Sequence, residues 1–301
     1  MRVAIIGNFD GVHGGHRALV HQARQRAGAG PDDRVVAVTF DPHPAAVLRP
    51  DSAPARLTSV ERRADLLREA GVDDVVVLHF TPELASLSPR EFARMLREDS
   101  AIAADAVIVG DNFRFGARAA GDTAMLADLG GEMGFDVEVI ALVSEDIPGD
   151  IDGAWSSTRI RESIAAGDLV AAAAMLGRPH RLEGIVVRGD QRGRELGYPT
   201  ANVDVASDVA VPPDGVYAGW LVVGGVGLPA AVSIGTNPQF DGRERRVEAY
   251  AIDRDDLDIY GAPVAVDLVV RLRGQEVFDS VDDLITQMGR DVTAARAALG
   301  G

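Results

Sequence analysis

Residues 7–16 of the chain read GNFDGVHGGH, and they stand between a short apolar run, Val3–Gly7, and a stretch of helical spacing, His16–Ala29. A glycine-rich turn that joins a buried strand to a helix is typical of open α/β sheets. In such sheets ligands bind at the carboxyl ends of the strands, and the N-terminus of the following helix favours phosphate. The turn therefore predicts both the fold of this half and the place of its site.

The same alternation of strand and helix continues along the first half of the chain. Four more short Val/Ile-rich runs are predicted to be strands: Val35–Phe40, Val75–Phe80, Ala106–Gly110 and Val137–Val143. Helical spacing lies between them at Val60–Ala70, Pro89–Ser100 and Thr123–Gly134, and Ser88 before Pro89 is a suitable N-cap. The pattern predicts a doubly wound α/β domain with a parallel sheet.

After about residue 180 the pattern changes to closely spaced strands. They are Leu182–Arg188, Gly215–Val223, Leu228–Ile234, Arg246–Ile252 and Val264–Arg271, separated by Gly, Pro and Asp, and one long helical stretch follows at Val281–Leu299. This predicts a small antiparallel β-barrel with a C-terminal helix. Two helical stretches, Thr158–Ala166 and Leu169–Leu176, precede the change, so we place the domains at 1–180 and 181–301.

Composition excludes several kinds of chemistry. The 301 residues are 47% hydrophobic and 25% charged, which is typical of globular domains, and the net charge of −16 argues against sequence-independent nucleic-acid binding. The chain contains no cysteine and no lysine, which excludes thiolate nucleophiles, a Walker-A loop and Schiff-base mechanisms. With no signal peptide or membrane-length apolar run, we expect a cytoplasmic protein without membrane or nucleic-acid partners. The oligomeric state is open, a homo-oligomer included.

His13 and His16 stand three apart in the turn after the first predicted strand. Imidazoles that donate hydrogen bonds there would stabilise the charge on a transferring phosphoryl group. An HxxH spacing alone more often marks two surface residues, and metal binding is a further alternative, although no third ligand is spaced nearby. The position at the end of the first strand favours phosphate chemistry.

The string GNFDGVHGGH resembles the HxGH signature of the nucleotidyltransferase superfamily, in the form seen in bacterial flavin adenylyltransferases. Three further stretches match that family in order: TFDPHP at 39–44, GDNFRFG at 110–116 and WSSTRIR at 155–161. Read alone, the last of these would be an ordinary helix N-cap. The resemblance implies a Rossmann-like nucleotidyltransferase domain that transfers AMP from ATP to FMN, with Mg²⁺ on the triphosphate, and releases FAD and pyrophosphate.

The resemblance also implies roles for the matching residues. The catalytic residues would be His13, His16 and Arg161. Contacts with ATP would come from Gly7, Phe9, Asp10, Ser156 and Ser157, and contacts with the flavin from Phe40, Pro42, Pro44, Asn112 and Phe113. Two residues depart from the pattern: Gly14 stands where a larger residue, often Arg, is common, and Trp155 where Ile is usual. We expect Gly14 to loosen phosphate contacts and Trp155 to change the shape of the pocket edge.

A second motif lies in the other half of the chain. Residues 184–197 are rich in glycine, which in a small barrel usually marks turns, and YPTAN follows at 198–202. Thr200 and Asn202, two apart on an extended segment, face the same side, so both oxygens could approach one cation. No histidine follows position 180, so a general base in this half would be a carboxylate.

The string GRELGYPTAN at 193–202 resembles the GRxLGFPTAN pattern of riboflavin kinase domains, and PDGVYA at 213–218 and VEAY at 247–250 match as well. The resemblance implies that Thr200 and Asn202 hold Mg²⁺·ATP and that Glu248 takes the proton of the riboflavin 5′-hydroxyl. Gly189, Gly193 and Gly197 would contact ATP, and Arg273 the flavin. Without the resemblance, Glu248 would be interpreted as an exposed position on an edge strand.

The order of the motifs is similar to that of the bifunctional bacterial flavokinase/FAD synthetase family. This implies that riboflavin and ATP give FMN and ADP in the C-terminal domain, and that FMN and ATP give FAD in the N-terminal one. Two alternatives stay open. In a single-activity enzyme, the N-terminal half would be the one that lost catalysis, given Gly14 and Trp155. A non-catalytic flavin or nucleotide sensor is the other alternative, but it would not need the six catalytic and metal-binding residues.

Overall fold

The computed structural model describes residues 1–141, 155–189, 196–236 and 245–300. Contacts within the chain divide it into two compact units, one of Met1–Pro54 and Thr58–Ser156, the other of Ala55–Leu57 and Ser157–Gly301. The predicted domain boundary at residue 180 stays a prediction. Within the described residues, no helix has the length and hydropathy needed to cross a bilayer.

The first unit is built around a parallel sheet of five strands, in the order β3-β2-β1-β4-β5. The strands are β1 Arg2–Ile6, β2 Arg34–Asp41, β3 Asp74–His79, β4 Ala106–Gly110 and β5 Asp136–Ile140. The described helices of this unit are α1 Gly14–Ala27, α2 Pro44–Leu48, α3 Val60–Glu69, α4 Pro82–Ser86, α5 Pro89–Glu98 and α6 Thr123–Met133. The doubly wound α/β prediction is confirmed, and α1 begins two residues earlier than predicted.

Two hydrophobic cores lie on opposite faces of this sheet. On β1, Val3 and Ile5 face the core that contains residues of α1 and α3, whereas Ala4 and Ile6 face the core that contains residues of α5 and α6. Alternate residues of a strand point to opposite faces, so a strand buried on both sides must be apolar throughout. Strands β2 and β3 lie on one side of β1 in the sheet, and β4 and β5 lie on the other. The order of the strands therefore reverses between β1 and β4, which is the topological switch point. That crevice is where open α/β sheets bind ligands.

The second unit contains a closed antiparallel barrel in the order β10-β7-β6-β11-β8-β9. Its elements are α7 Ser157–Ala166, α8 Leu169–Leu176, β6 His180–Val187, β7 Ala201–Val205, β8 Gly215–Val223, β9 Val226–Thr236, β10 Arg245–Ala251, β11 Pro263–Arg273 and α9 Val281–Ala298. The barrel and its C-terminal helix are confirmed. Five of the six strands were predicted from the sequence. Strand β7 was not, because it is short and lies between the glycine-rich run and a turn.

Candidate active sites

The turn after β1 has an unusual backbone. Phe9 and Val12 have φ of 49° and 41°, in the left-handed region that side chains other than glycine rarely adopt, and Gly11 lies there at 86°. Such conformations cost of order 1–3 kcal/mol each and persist only where packing determines them. Here Phe9 and Val12 are both fully buried in the core beneath α1. Because strained backbone of this kind clusters at functional sites, the turn is a candidate site on its geometry alone.

Asp10 fixes this turn to the segment before α3. Its buried carboxylate accepts hydrogen bonds from the backbone N–H of Thr58 at 3.1 Å and from the Thr58 hydroxyl at 3.2 Å. The same hydroxyl oxygen accepts a bond from the Gly11 N–H. Asp10 therefore has a structural task in the turn, and its contact with ATP stays a prediction.

His13 and His16 form a stacked pair at the start of α1. Their ring centroids lie 3.7 Å apart with an interplanar angle of 22°, and Phe9 meets the His16 ring edge-on at 5.2 Å. Burial lowers the pKa of His16 well below its ordinary value, and the neighbouring charges of His13, Arg63 and Arg17 lower it further. His16 is therefore neutral near pH 7. Its buried Nδ1 has no hydrogen-bond partner among the described residues.

The first turn of α1 has neither a side-chain cap nor an acidic residue. Its N-cap residue is His13. The first N–H groups of a helix have no partner within it, and they carry the positive end of the helix dipole. The structure thus places the histidine pair beside donors that suit a phosphate group.

The predicted flavin contacts lie at the carboxyl ends of two strands of the same sheet. Phe40 is near the end of β2 and packs edge-on against Phe80 at 5.7 Å, and the half-buried Pro42 and Pro44 follow it. After β4, Asn112 is exposed and Phe113 stacks with Phe115 at 5.6 Å. Since the carboxyl ends of parallel strands lie at one edge of the sheet, these residues lie at the same edge as the histidine turn.

Sequence reasoning missed Arg63, which is 2% exposed on α3. Its guanidinium donates to the Thr39 hydroxyl at 3.2 Å and to the Phe40 carbonyl at 3.0 Å. The Thr39 hydroxyl in turn donates to the carbonyl of Asn8. Arg63 thus joins the end of β2 to the turn after β1. The signal was available, because position 63 shares the apolar face of α3 with Leu66 and Leu67.

The motif at 155–161 divides between the two units. Trp155 and Ser156 belong to the first, whereas Ser157 is the first residue of α7 in the second. Arg161 lies on α7, is half-buried, and its Nε donates to the carbonyl of Ala55 at 2.6 Å. The catalytic role of Arg161 and the ATP contacts of the two serines stay predictions.

In the second unit, three predicted residues meet at β7 and β10. Asn202 on β7 pairs in register with Glu248 on β10, so their side chains leave the barrel wall on the same face. A Cβ built on Gly189 would lie 2.4 Å from Nδ2 of Asn202, so the amide packs directly on the backbone of that glycine. Gly197 has a φ of 85°, which explains a glycine there, and Gly193 lies outside the described residues.

A cleft opens beside the start of β7. Thr200, Asn202 and Gly189 line it, together with Tyr260 and with Arg254 and Asp255, the last two of which sequence reasoning did not select. In the described part of the chain, no group of three His, Cys, Asp or Glu residues could hold a metal ion. A hydroxyl and an amide oxygen are nevertheless hard donors that suit Mg²⁺, which commonly takes few protein ligands and completes its shell with water and substrate phosphate. The donor set therefore fits the predicted ion.

Arg273 is engaged elsewhere in the barrel. Its Nε and terminal nitrogen donate to both carboxylate oxygens of Asp291 on α9, at 2.9 and 2.6 Å, and this pairing raises the pKa of Arg273. The guanidinium also lies 5.9 Å from the centre of the Phe278 ring. These contacts attach α9 to the end of β11, and a flavin contact by Arg273 stays a prediction.

Fold and sites together define an enzyme with a nucleotidyltransferase-type α/β unit followed by a kinase-type barrel. The FAD synthetase family model matches residues 1–149, and the riboflavin kinase family model matches residues 176–299. The chain belongs to the bifunctional riboflavin kinase/FMN adenylyltransferase family, with an FAD synthetase domain followed by a riboflavin kinase domain.

Relatives of this family match along nearly the whole chain. The bifunctional riboflavin kinase/FMN adenylyltransferase of Escherichia coli K12 is 38% identical over 99% of this chain and 93% of its own length. The protein of that name from Bacillus subtilis is 32% identical over 96% and 90%. A crystal structure from Streptococcus pneumoniae, described as a macrolide-efflux protein, has a TM-score of 0.85 at 32% identity and covers 98% of this chain and 93% of that one.

Proposed function

We propose that the two activities of the family are divided between the histidine turn of the first unit and the site at β7 and β10 of the second. In the C-terminal unit, the 5′-hydroxyl oxygen of riboflavin attacks the γ-phosphorus of ATP, the bond to the β-phosphate oxygen breaks, and FMN and ADP are released. In the N-terminal unit, a phosphate oxygen of FMN attacks the α-phosphorus of a second ATP. The bond to the β-phosphate oxygen breaks there too, which yields FAD and pyrophosphate. Because both steps consume ATP, we place them in the cytoplasm.

The register of Asn202 and Glu248 carries the kinase proposal. A carboxylate that faces the same side as a metal-binding amide can accept the proton of the attacking hydroxyl while that hydroxyl is held near the γ-phosphate. Thr200 and Asn202 would hold Mg²⁺, which offsets the negative charge of the phosphates when bound. Gly189 contributes by leaving room for the Asn202 amide.

The turn after β1 carries the adenylylation proposal. The first N–H groups of α1 bind phosphate oxygens, and His13 donates a hydrogen bond to the phosphate on which negative charge develops. His16, neutral and stacked on His13, holds the ring of His13 in place. The residues form no covalent bond with the nucleotide, so positioning and charge stabilisation supply the catalysis.

A time course with riboflavin, ATP and Mg²⁺, resolved by chromatography, tests the proposal. FMN should rise first and then give way to FAD. Accumulation of FMN alone would overturn the adenylylation step and favour a single-activity enzyme. Flavin binding without either product would overturn both steps and favour a sensor.

A further inference from the structure

Two glycines open α1, and each lies beneath a ring. A Cβ built on Gly14 would lie 1.4 Å from Cζ3 and 1.8 Å from Cε3 of Trp155, and one built on Gly15 would lie 3.2 Å from Cε1 of His13. Two heavy atoms that are not bonded cannot approach to 1.4 Å. The indole of Trp155 therefore fills the volume that a side chain at position 14 would occupy.

This first turn has little stiffness of its own. Glycine in a helix interior costs about 1 kcal/mol relative to alanine because its backbone has more freedom to lose, and two consecutive glycines make this first turn easier to deform. His13, the N-cap residue, makes no side-chain capping hydrogen bond, and the turn carries no acidic residue that would favour the helix dipole. The turn must therefore be held by what packs against it, and Trp155 is the ring in contact with its first residue.

We propose that Trp155 is a positioning residue for adenylyl transfer. Its indole packs on Gly14 and holds the first turn of α1, and thereby keeps the ring of His13 between Gly15 and His16. This inference rests on the function proposed for the N-terminal unit. The two departures from the family pattern are then one feature, since a ring at 155 requires the absence of a side chain at 14.

The contribution comes from the ring and not from its polar atom. The buried Nε1 of Trp155 has no hydrogen-bond partner among the described residues. A buried N–H without a partner lowers stability, so the benefit of tryptophan at this position lies in the area that the ring covers. Phenylalanine should replace it with little loss, whereas alanine should not.

Four variants test the proposal: Trp155→Ala, Trp155→Phe, Gly14→Ala and the double variant Gly14→Ala/Trp155→Ala. We expect Trp155→Ala to lower kcat for FMN adenylylation about 10-fold or more, because a ring displaced by about 1 Å is enough for such a loss. In Trp155→Ala, KM for ATP should stay within about 3-fold of the parent value, because the ring affects the position of His13 and not the binding of ATP. In Trp155→Phe, kcat should stay within about 3-fold of the parent value, because a ring is kept at this position. Riboflavin phosphorylation, measured in the same preparations, should not change.

The double variant isolates the contact. Gly14→Ala alone should lower adenylylation, since its Cβ collides with the indole, but in the Trp155→Ala background it should cause no further loss. Losses that multiply in the double variant would overturn the proposal, as would full activity of Trp155→Ala. Equal loss of activity in Trp155→Phe and Trp155→Ala would overturn the packing argument.

A readout without catalysis separates this inference from the proposed function. The chain has two tryptophans, so Trp220→Phe leaves Trp155 as the sole emitter. Adding Gly14→Ala to that protein should shift the emission to longer wavelength, because the indole is forced out of its buried contact. An unchanged emission would overturn the packing, even in a protein that makes FAD. Failure of the parent enzyme to make FAD, with the shift present, would instead count against the proposed function.

Discussion

Asn202 and Glu248 lie opposite each other on neighbouring antiparallel strands, and Glu248 is also in register with Ser233 on the other side. The pairing places one amide and one carboxylate, 46 positions apart in the chain, on the same face of the barrel wall. Cβ atoms of directly opposed residues lie about 5 Å apart, so the two side chains are close neighbours.

Glu248→Gln should abolish riboflavin phosphorylation while FMN adenylylation continues. The amide keeps the size of the side chain but cannot accept the hydroxyl proton, and loss of a general base typically costs about 10²–10⁴-fold in kcat. The two activities are measured separately, from riboflavin and from FMN. Glu276→Gln, at an exposed position of the same unit, is the control and should retain both. Undiminished kinase activity of Glu248→Gln would remove Glu248 from the mechanism.

Gly189→Ala should impair the kinase through Asn202. The new Cβ would lie 2.4–2.5 Å from the amide atoms of Asn202, so that side chain must move. We expect kcat to fall about 10-fold and the Mg²⁺ concentration for half-maximal rate to rise, because a displaced ligand binds the metal more weakly. Gly274→Ala is the control, because its Cβ would meet only Arg271 at an ordinary 3.8 Å. An unchanged Mg²⁺ dependence would argue against a metal-binding role for Asn202.

His13→Ala should stop the reaction sequence at FMN. Removing one hydrogen-bond donor from a site of charge development costs about 10²–10³-fold in kcat. Starting from riboflavin, chromatography should show FMN accumulating at the parent rate. His21 lies on the same helix but is exposed and pairs with Gln25, so His21→Ala should leave FAD formation intact. Equal effects of the two substitutions would contradict the site.

The half-buried His16 should make the stability of the first unit depend on pH below about 6.5. The pKa of His16 is lowered on folding, so as the pH falls below the ordinary value of 6.5 the unfolded chain binds a proton that the folded state does not. The free energy of unfolding should decrease by up to about 1.4 kcal/mol per pH unit, until the folded-state pKa is reached. Above pH 6.5 this group contributes no dependence.

Urea unfolding of the Trp220→Phe protein, followed by Trp155 emission at pH 7.5 and 5.5, measures this effect. The same pair of measurements on His16→Gln supplies the reference, since carboxylates titrate equally in both proteins. The change in the free energy of unfolding between pH 7.5 and pH 5.5 should be smaller in His16→Gln than in its parent. An identical difference in both proteins would mean that His16 is protonated in the folded state.

Asp291→Ala should destabilise the barrel. The ion pair with Arg273 is largely shielded, with side-chain exposures of 17% for the arginine and 9% for the aspartate, and Gln287 donates to the same carboxylate. Removing the carboxylate breaks two charge-assisted hydrogen bonds of a partly buried pair and should cost about 1.5–3 kcal/mol. Urea unfolding of the Trp155→Phe protein, followed by Trp220 emission, reports this unit. Asp279→Ala, at an exposed position before α9, should have little effect.

The amino-acid sequence by itself determined the two folds and the order of the motifs. Val3–Gly7 and its counterparts are continuous apolar runs, and only burial on both faces of a sheet makes such runs stable, so the parallel sheet follows from local pattern. The barrel follows in the same way from short strands and close turns. The first residues of α1 and the short strand β7 were harder to predict from the sequence, because two glycines and a strand of five residues give weak local signals.

Tertiary structure alone decided which of these residues act on one another. The stacking of His13 on His16 depends on the backbone of the turn, the register of Asn202 with Glu248 on strand pairing, and the burial of Arg63 on the docking of α3. Trp155 and Gly14 stand as unrelated departures in the sequence, and become one contact only when residues 141 positions apart pack together. Hydrophobic periodicity indicates which face of one segment is buried. Contacts between distant segments depend instead on how their side chains pack together in the folded chain.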